Sequence, residues 1–188
     1  MSVPPAPYPA ELERAADLRD GRRVRIRPIR PDDEARLGEL YDRLGRETAY
    51  HRFFTVMKRL PPDWARFLAN VDYRRRLALV AEDDRATGPL VAVARYEPTE
   101  CQDTAEIAFV VQDGWQGQGL GGRLLDELLA AAEARGIHRF RAWVLPDNRR
   151  MLDLLARHTE VLERRAEAGV IELVARRARP TTASSPPR

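Results

Sequence analysis

The stretch Gln116-Gly117-Gln118-Gly119-Leu120-Gly121-Gly122 constrains this chain more than any other, because it runs into a repeat of Leu120, Leu124, Leu125, Leu128, Leu129 and Ala132 at helical spacing. Glycines at a helix entrance allow backbone conformations and close approaches that other residues resist. The first turn of a helix also leaves several N–H groups without partners. With the helix dipole behind them, such amides form an anion site suited to a pyrophosphate. A flexible connection between two elements would use the same glycines. The helix itself is strongly signalled, since Gly136 follows where a left-handed helix end is wanted.

The rest of the chain reads as mixed α/β. Val24 and Ile26 alternate with arginine between Arg23 and Ile29 as a strand, and Pro31-Asp32-Asp33-Glu34 opens a helix whose buried stripe is Leu37, Leu40, Tyr41 and Leu44. Pro61 to Asn70 predicts a second helix with Trp64, Phe67 and Leu68 inward. Short apolar runs, Leu77 to Ala81 and Pro89 to Tyr96, flank Asp83-Asp84-Arg85-Ala86-Thr87-Gly88 and predict two antiparallel strands and a turn; Thr104 to Val111 is a further strand. After the leucine helix come a strand at Phe140 to Leu145, a helix at Asn148 to Arg157, and a hairpin from Val161 to Ala175 turning at Ala168-Gly169. The expected order is β-α-α-β-β-β-α-β-α-β-β, with no internal repeat. Met1 to Ala10 holds four prolines and Pro180 to Arg188 is mostly Pro, Thr and Ser, compositions that bury too little apolar surface to offset the entropy of ordering. Residues 1–20 are therefore expected to be a loose extension, 21–178 a single domain, and 179–188 a disordered tail.

Several function classes drop out on composition. At 188 residues and 44% hydrophobic the chain has room for one domain with a real core. Lys plus Arg at 32 against Asp plus Glu at 29 leaves +3, a near balance that argues against a dedicated nucleic-acid or membrane binder. Lys58 is the sole lysine, so the basic residues are almost all arginine. The single cysteine, Cys101, excludes an intramolecular disulfide and suits a reducing cytoplasm. No apolar run approaches the roughly 20 residues of a spanning helix, and Met1 to Ala10 lacks the pattern of a signal peptide, so a cytoplasmic location is expected. Ser2, Ser184 and Ser185 are the only serines and lie in the tails, which removes a serine nucleophile.

Two phosphate fingerprints fail here, one on placement and one on residue type. Gly117, Gly119 and Gly122 match G-x-G-x-x-G, but a dinucleotide site needs that turn directly after the first strand and an acid about 20 residues on, and no carboxylate stands near Ala142. A Walker A loop needs Gly-Lys-Ser/Thr, and this loop has no lysine. A third pattern fits. Glu106-Ile107-Ala108-Phe109-Val110-Val111, four residues, then Gln116-Gly117-Gln118-Gly119-Leu120-Gly121 resembles the Gln/Arg-x-x-Gly-x-Gly/Ala acyl-CoA loop of the GNAT N-acetyltransferase superfamily. The resemblance runs from about Val24 to Arg157 and includes Val144-Leu145-Pro146-Asp147-Asn148. Within that superfamily, Ile26 to Asp33, Arg52-Phe53-Phe54, Val71-Asp72-Tyr73 and Ala105 to Phe109 are similar to the acetyltransferase domains of bacterial protein-lysine acetyltransferases.

The resemblance implies an α/β GNAT fold: a mixed, mostly antiparallel central sheet flanked by helices, with splayed parallel strands at Ala108 to Val110 and Phe140 to Leu145 opening a V for acetyl-CoA. Main-chain groups of Ala108, Phe109 and Val110 would hold the pantetheine arm and polarise the thioester carbonyl, while amides of Gln116, Gly117, Gln118, Gly119, Leu120, Gly121 and Gly122 would hold the pyrophosphate. Asn148 is either a polar contact to acetyl-CoA or a plain helix N-cap. The attacking amine must be neutral, which for a lysine of pKa near 10.4 costs about 4.6 kcal/mol at pH 7. Glu106 stands where similar lysine acetyltransferases carry their general base, and burial there is expected to raise its pKa into a useful range; otherwise it is a solvated strand carboxylate. Many small-amine acetyltransferases place a tyrosine acid where this chain has Leu155, and the Gly-Phe expected after that helix is replaced by His158-Thr159-Glu160-Val161.

Acetyl-CoA and a protein lysine are thus the expected substrates, with a small or antibiotic-like amine, or a non-catalytic acyl-CoA-binding module, as the alternatives. A homodimer stays open. The length leaves no room for the regulatory domain such lysine acetyltransferases often carry, so control is expected from a partner, expression or substrate supply. His51, His138 and His158 lack metal-ligand spacing, so no metal is expected. Cys101 reads as a loop thiol, and Arg74-Arg75-Arg76 as a solvated charge run. Arg123, Arg149 and Arg150 would either pair with the CoA phosphates or face water. Phe53, Phe54, Trp64 and Phe67 would line the acceptor entrance or, more simply, the core.

Overall fold

The computed structural model describes residues 6–85 and 88–178, and the fold is one eight-stranded sheet with helices on both faces. In chain order the elements are β1 (Arg14–Asp17), β2 (Arg23–Pro28), α1 (Glu34–Asp42), α2 (Arg46–Phe53), α3 (Pro62–Ala69), β3 (Leu77–Asp83), β4 (Leu90–Pro98), β5 (Thr104–Val111), α4 (Leu120–Glu133), β6 (Arg139–Val144), α5 (Arg149–His158), β7 (Thr159–Glu167) and β8 (Val170–Arg177). The strands lie in the order β1-β2-β3-β4-β5-β6-β8-β7. All neighbours are antiparallel except β5 and β6. This is the mixed, mostly antiparallel sheet expected.

Strand alternation sorts the apolar residues onto two cores. One face takes Leu79, Ala94, Tyr96, Ile107, Phe109 and Phe140 under the leucines of α4 and Leu155 of α5. The other takes Val80, Val93 and Val110 under Leu37, Leu40 and Tyr41 of α1 and Ala65 and Ala69 of α3. All six apolar residues expected to face inward on α4 are buried. Gly136, at φ 83°, ends the turn after it. The hairpin between β7 and β8 turns where expected, with Ala168 at φ 51° and Gly169 at φ 80°, the paired left-handed residues of a type I′ turn.

Three expectations need correction. Residues 6–20 are not a loose extension: β1 pairs with β2 over Arg14 to Asp17, Glu13 receives hydrogen bonds from Tyr8, Arg25 and Arg30, and Ala16 and Leu18 join the core. Proline content hid two apolar anchors that are enough to seat a short strand. Helix α2 has no counterpart in the sequence reading, because Arg46–Phe53 buries only Ala49 and so lacks an apolar stripe. On α3 the inward residues are Ala65, Leu68 and Ala69, whereas Trp64 and Phe67 are 47% and 57% exposed. Residues 1–5 and 179–188, and the centre of the turn at 86–87, lie outside the described residues.

The entry to α1 rests on buried charge. Arg27 and Asp33 are 3% and 2% exposed and form two parallel hydrogen bonds of 2.8 Å, while Asp33 also accepts from the Arg30 amide and from Arg36. Burial alone would push the Asp33 carboxyl up, but the bonds from Arg27 and the Arg30 amide hold it below its ordinary value. The acidic residues read as dipole partners of the helix therefore include the hub that fastens α1 to β2.

Candidate active site

The parallel pair is short. Thr104, Ala105 and Glu106 of β5 pair with Arg139, Phe140 and Arg141 of β6, and there the pairing ends, although β5 continues to Val111 and β6 to Val144. Beyond Glu106 the two strands part, leaving the β6-facing edge of Ile107–Val111 without a strand partner. On its other edge β5 stays paired with β4 as far as Val111. Unpaired main-chain groups at a splayed parallel pair are what an extended amide-bearing chain can bond. Ala108, Phe109 and Val110 lie on this edge, and Ala108 is the least buried of the three.

The glycine loop lies at the end of β5. A 3-10 turn at Asp113–Trp115 precedes it, and Asp113 accepts hydrogen bonds from the Gly45 amide at 2.8 Å and the Thr48 hydroxyl at 2.7 Å, tying the loop to the start of α2. The Gln116 side chain donates to Val111 O at 2.9 Å and accepts from Arg150 at 2.6 Å. Gly117 and Gly119 sit at φ 76° and 89°, where a side chain would be strained. The α4 N-terminus has no side-chain cap. Among the described residues, the amides of Gly117, Gln118, Gly119, Leu120, Gly121 and Gly122 donate no hydrogen bond, whereas that of Gln116 is already bonded to Asp113 O at 3.2 Å. The free set thus starts one residue later than expected and is a concave run of donors at a helix N-terminus, suited to a diphosphate.

Asn148 caps α5, its side chain accepting from the Met151 amide at 3.2 Å. Arg150 is engaged with Gln116, while Arg123 and Arg149 are exposed. Leu155, in the place of the small-amine tyrosine, is 2% exposed and packed within the core. His158 approaches Gly122 and bonds Asp126 through Nδ1 at 2.8 Å, and His51 Nε2 meets Asp147 at 3.2 Å. Arg76, far from being a solvated charge, bonds Glu97 and the carbonyls of Asn70 and Phe67.

Glu106 departs from expectation in its surroundings. It projects from the face of β5 that carries Ala108 and Val110, opposite Glu97 of β4 and Arg141 of β6, but the side chain is exposed rather than buried. Among the described residues its side chain takes part in one hydrogen bond, of 3.3 Å from the Trp143 indole.

A feature the sequence reading missed lies on the same face. Arg95 of β4 is 3% exposed and bonds Glu97 and Leu68 O, and Arg52 of α2 faces it across a cavity of about 30 Å³. The signal was an arginine inside the apolar run Val91-Ala92-Val93-Ala94-Arg95-Tyr96, which on a doubly covered strand must be paired.

Among the described residues no helix is long and apolar enough to cross a membrane, and no three His, Cys, Asp or Glu side chains are grouped to hold a metal ion. Comparison with known proteins agrees with this geometry. Residues 38–159 match the model of the acetyltransferase (GNAT) family. The chain is 36% identical over 143 residues to Acetyltransferase Pat of Mycolicibacterium smegmatis, a match that covers 74% of this chain and only 42% of that protein. It is 32% identical over 140 residues to Acetyltransferase PA5475 of Pseudomonas aeruginosa, covering 73% of this chain and 74% of the relative. The crystal structure of the GNAT domain of S. lividans PAT superposes with a TM-score of 0.80 at 36% identity, over 89% of this chain and 98% of that one. An open mixed sheet, a β5–β6 splay and a donor-lined glycine loop, found together with these matches over most of the chain, make this protein a member of the GNAT acetyltransferase family.

Proposed function

We propose that this chain moves the acetyl group of acetyl-CoA onto the side-chain amine of a protein lysine by direct attack, with Glu106 as general base. The observation that carries the reading is the end of β5–β6 pairing at Glu106 itself: an exposed carboxylate stands where the unpaired edge of β5 begins. The free amides from Gly117 to Gly122 fit the diphosphate, and the main chain of Ala108, Phe109 and Val110 fits the pantetheine and the thioester carbonyl. Bound there, acetyl-CoA supplies an acyl carbon activated by its thiol leaving group. The lysine ammonium gives a proton to Glu106, directly or through water, and its nitrogen bonds to the carbonyl carbon as the C–S bond breaks. The thiolate of CoA leaves, and the second proton that the acylated nitrogen sheds passes to that thiolate or to water; with a thiol pKa near 8.5 the thiolate needs no dedicated acid, in keeping with a leucine at position 155. An acceptor polypeptide lying over Glu106 would strip away the water that the free chain admits. A protein rather than a small amine is favoured by this openness and by the likeness to the Pat relatives.

Glu106→Gln is expected to bind acetyl-CoA as the parent does and to lose turnover about 10²-fold or more, the usual worth of a general base. Calorimetry measures the first and acetylation of a deacetylated lysate, read by mass spectrometry, the second. An unchanged rate removes Glu106 from its role. Turnover of free amines with none on proteins replaces the acceptor, and acetyl-CoA binding with no transfer at all leaves a binding module.

A further inference from the structure

The cavity between α1–α3 and the sheet has a composition that core packing does not explain. It is lined by apolar side chains, among them Leu40, Phe53, Leu68 and Val110, and by two guanidinium groups, Arg52 and Arg95. Arg95 is matched by Glu97, which Arg76 also holds. Arg52 forms no hydrogen bond or ion pair with any described residue; its guanidinium carbon stands 4.8 Å from the Phe53 ring centroid. The charged groups that act on Arg52 and Arg95 are Arg76 against Glu97 and Glu106, so with the two arginines themselves the cluster carries one positive charge in excess, and Glu106 is turned toward Trp143. Desolvation and the neighbouring Arg95 push Arg52 down to about 10, so the site is one in which a cation is poorly served and an anion would be welcome.

Position says which anion. Arg95, which lines the cavity, pairs with Ala108, two residues from Glu106 on the same face of β5, or about 7 Å along the strand. An acceptor whose amine reaches Glu106 can set a second group of its own near Arg52. About 30 Å³ admits the flat end of a carboxylate and little more, and the planar fork of arginine matches two carboxylate oxygens.

Building on the acetyl-transfer reading above, we propose that Arg52 is a specificity residue that receives a carboxylate carried by the acceptor close to its reacting amine. Two sources share this chemistry: an acidic side chain beside the acceptor lysine, or the α-carboxylate of a free amino acid.

The test uses the full chain with acetyl-CoA and two matched pairs of acceptors: a lysine peptide with Glu at neighbouring positions against the same peptide with Gln, and free lysine against lysinamide. In the parent chain kcat/KM should favour the acidic member of one pair by about tenfold, equivalent to about 1.4 kcal/mol. The pair that responds identifies the source. In Arg52→Gln the two members should converge, and Arg52→Lys should retain part of the difference because it keeps the charge and loses the fork. Equal rates within both pairs, or a preference that survives Arg52→Gln, overturn the proposal. A readout independent of transfer accompanies it: the Arg52 Nε–H resonance should move on titration with acetate and not with chloride at matched ionic strength. If no amine is acetylated the lysine reading fails while the acetate titration still decides the subsite, and an unmoved resonance rejects it.

Discussion

The contact between Gly122 and His158 shows how one residue type is forced by another. A Cβ at position 122 would lie 2.6 Å from His158 Nε2 and 2.7 Å from Cε1, while His158 Nδ1 is held by Asp126 at 2.8 Å. The glycine that the sequence offers as a phosphate residue is thus also the one that lets the end of α5 close on the first turn of α4. The imidazole that stands in place of the family's Gly-Phe fills the space. Gly122→Ala should therefore destabilise the fold by roughly 1–3 kcal/mol, the range for an added methyl in a packed contact. Adding His158→Ala should recover part of that loss, which urea denaturation of the two single variants and the double variant will measure as a coupling. Strict additivity would mean the two residues do not meet. No sequence pattern pairs positions 122 and 158, since the contact joins two helices separated by a strand.

At the scale of the element, the two helices beside the splay start in opposite ways. Helix α5 has the Met151 amide of its first turn capped by the Asn148 side chain, whereas α4 begins after a left-handed Gly119 with no cap and with its amides free. An uncapped N-terminus of a 14-residue helix is a cost unless a ligand supplies the acceptor, while a capped one is complete without it. The two readings of Asn148, cap and cofactor contact, are compatible, because the cap uses Oδ1 and leaves the amide nitrogen as a donor. Asn148→Ala should lower stability by about 1 kcal/mol. Asn148→Asp, which keeps an acceptor for the cap but has no donor, should leave stability near that of the parent and weaken acetyl-CoA binding. Denaturation curves and calorimetry on both variants separate the roles, and full affinity in Asn148→Asp would reduce Asn148 to a cap. Elements with a continuous apolar stripe, such as α4, were legible from spacing; α2, with one buried residue, was not, and it is the element that carries Arg52.

For the molecule as a whole, the sheet divides at the splay into β1–β5 and β6–β8, joined by three residue pairs and by α4 lying across both. Acetyl-CoA seated in the gap would replace the missing pairing, so hydrogen exchange should slow at residues 107–111, 117–122 and 142–148 on binding and stay unchanged in β1 and β2. At a hundredfold excess over Kd the same binding should add about 2.7 kcal/mol to global stability. Protection confined to other regions would move the cofactor site. Local spacing sufficed for the strands from β2 onward and the leucine helix, for the turn at Ala168-Gly169 and for the glycine loop, because backbone conformation and one-face burial are written in residues a few positions apart. The sequence alone therefore determined the order of most elements and the run of amides that can meet a diphosphate. Only the tertiary structure decided that residues 6–20 join the sheet, that β5 and β6 part just past Glu106, that Glu106 faces water, and that Arg52 and Arg95 share one small cavity. Those outcomes depend on which distant side chains meet across two faces of a sheet, and charge burial and solvent access are properties of that meeting rather than of any stretch of chain.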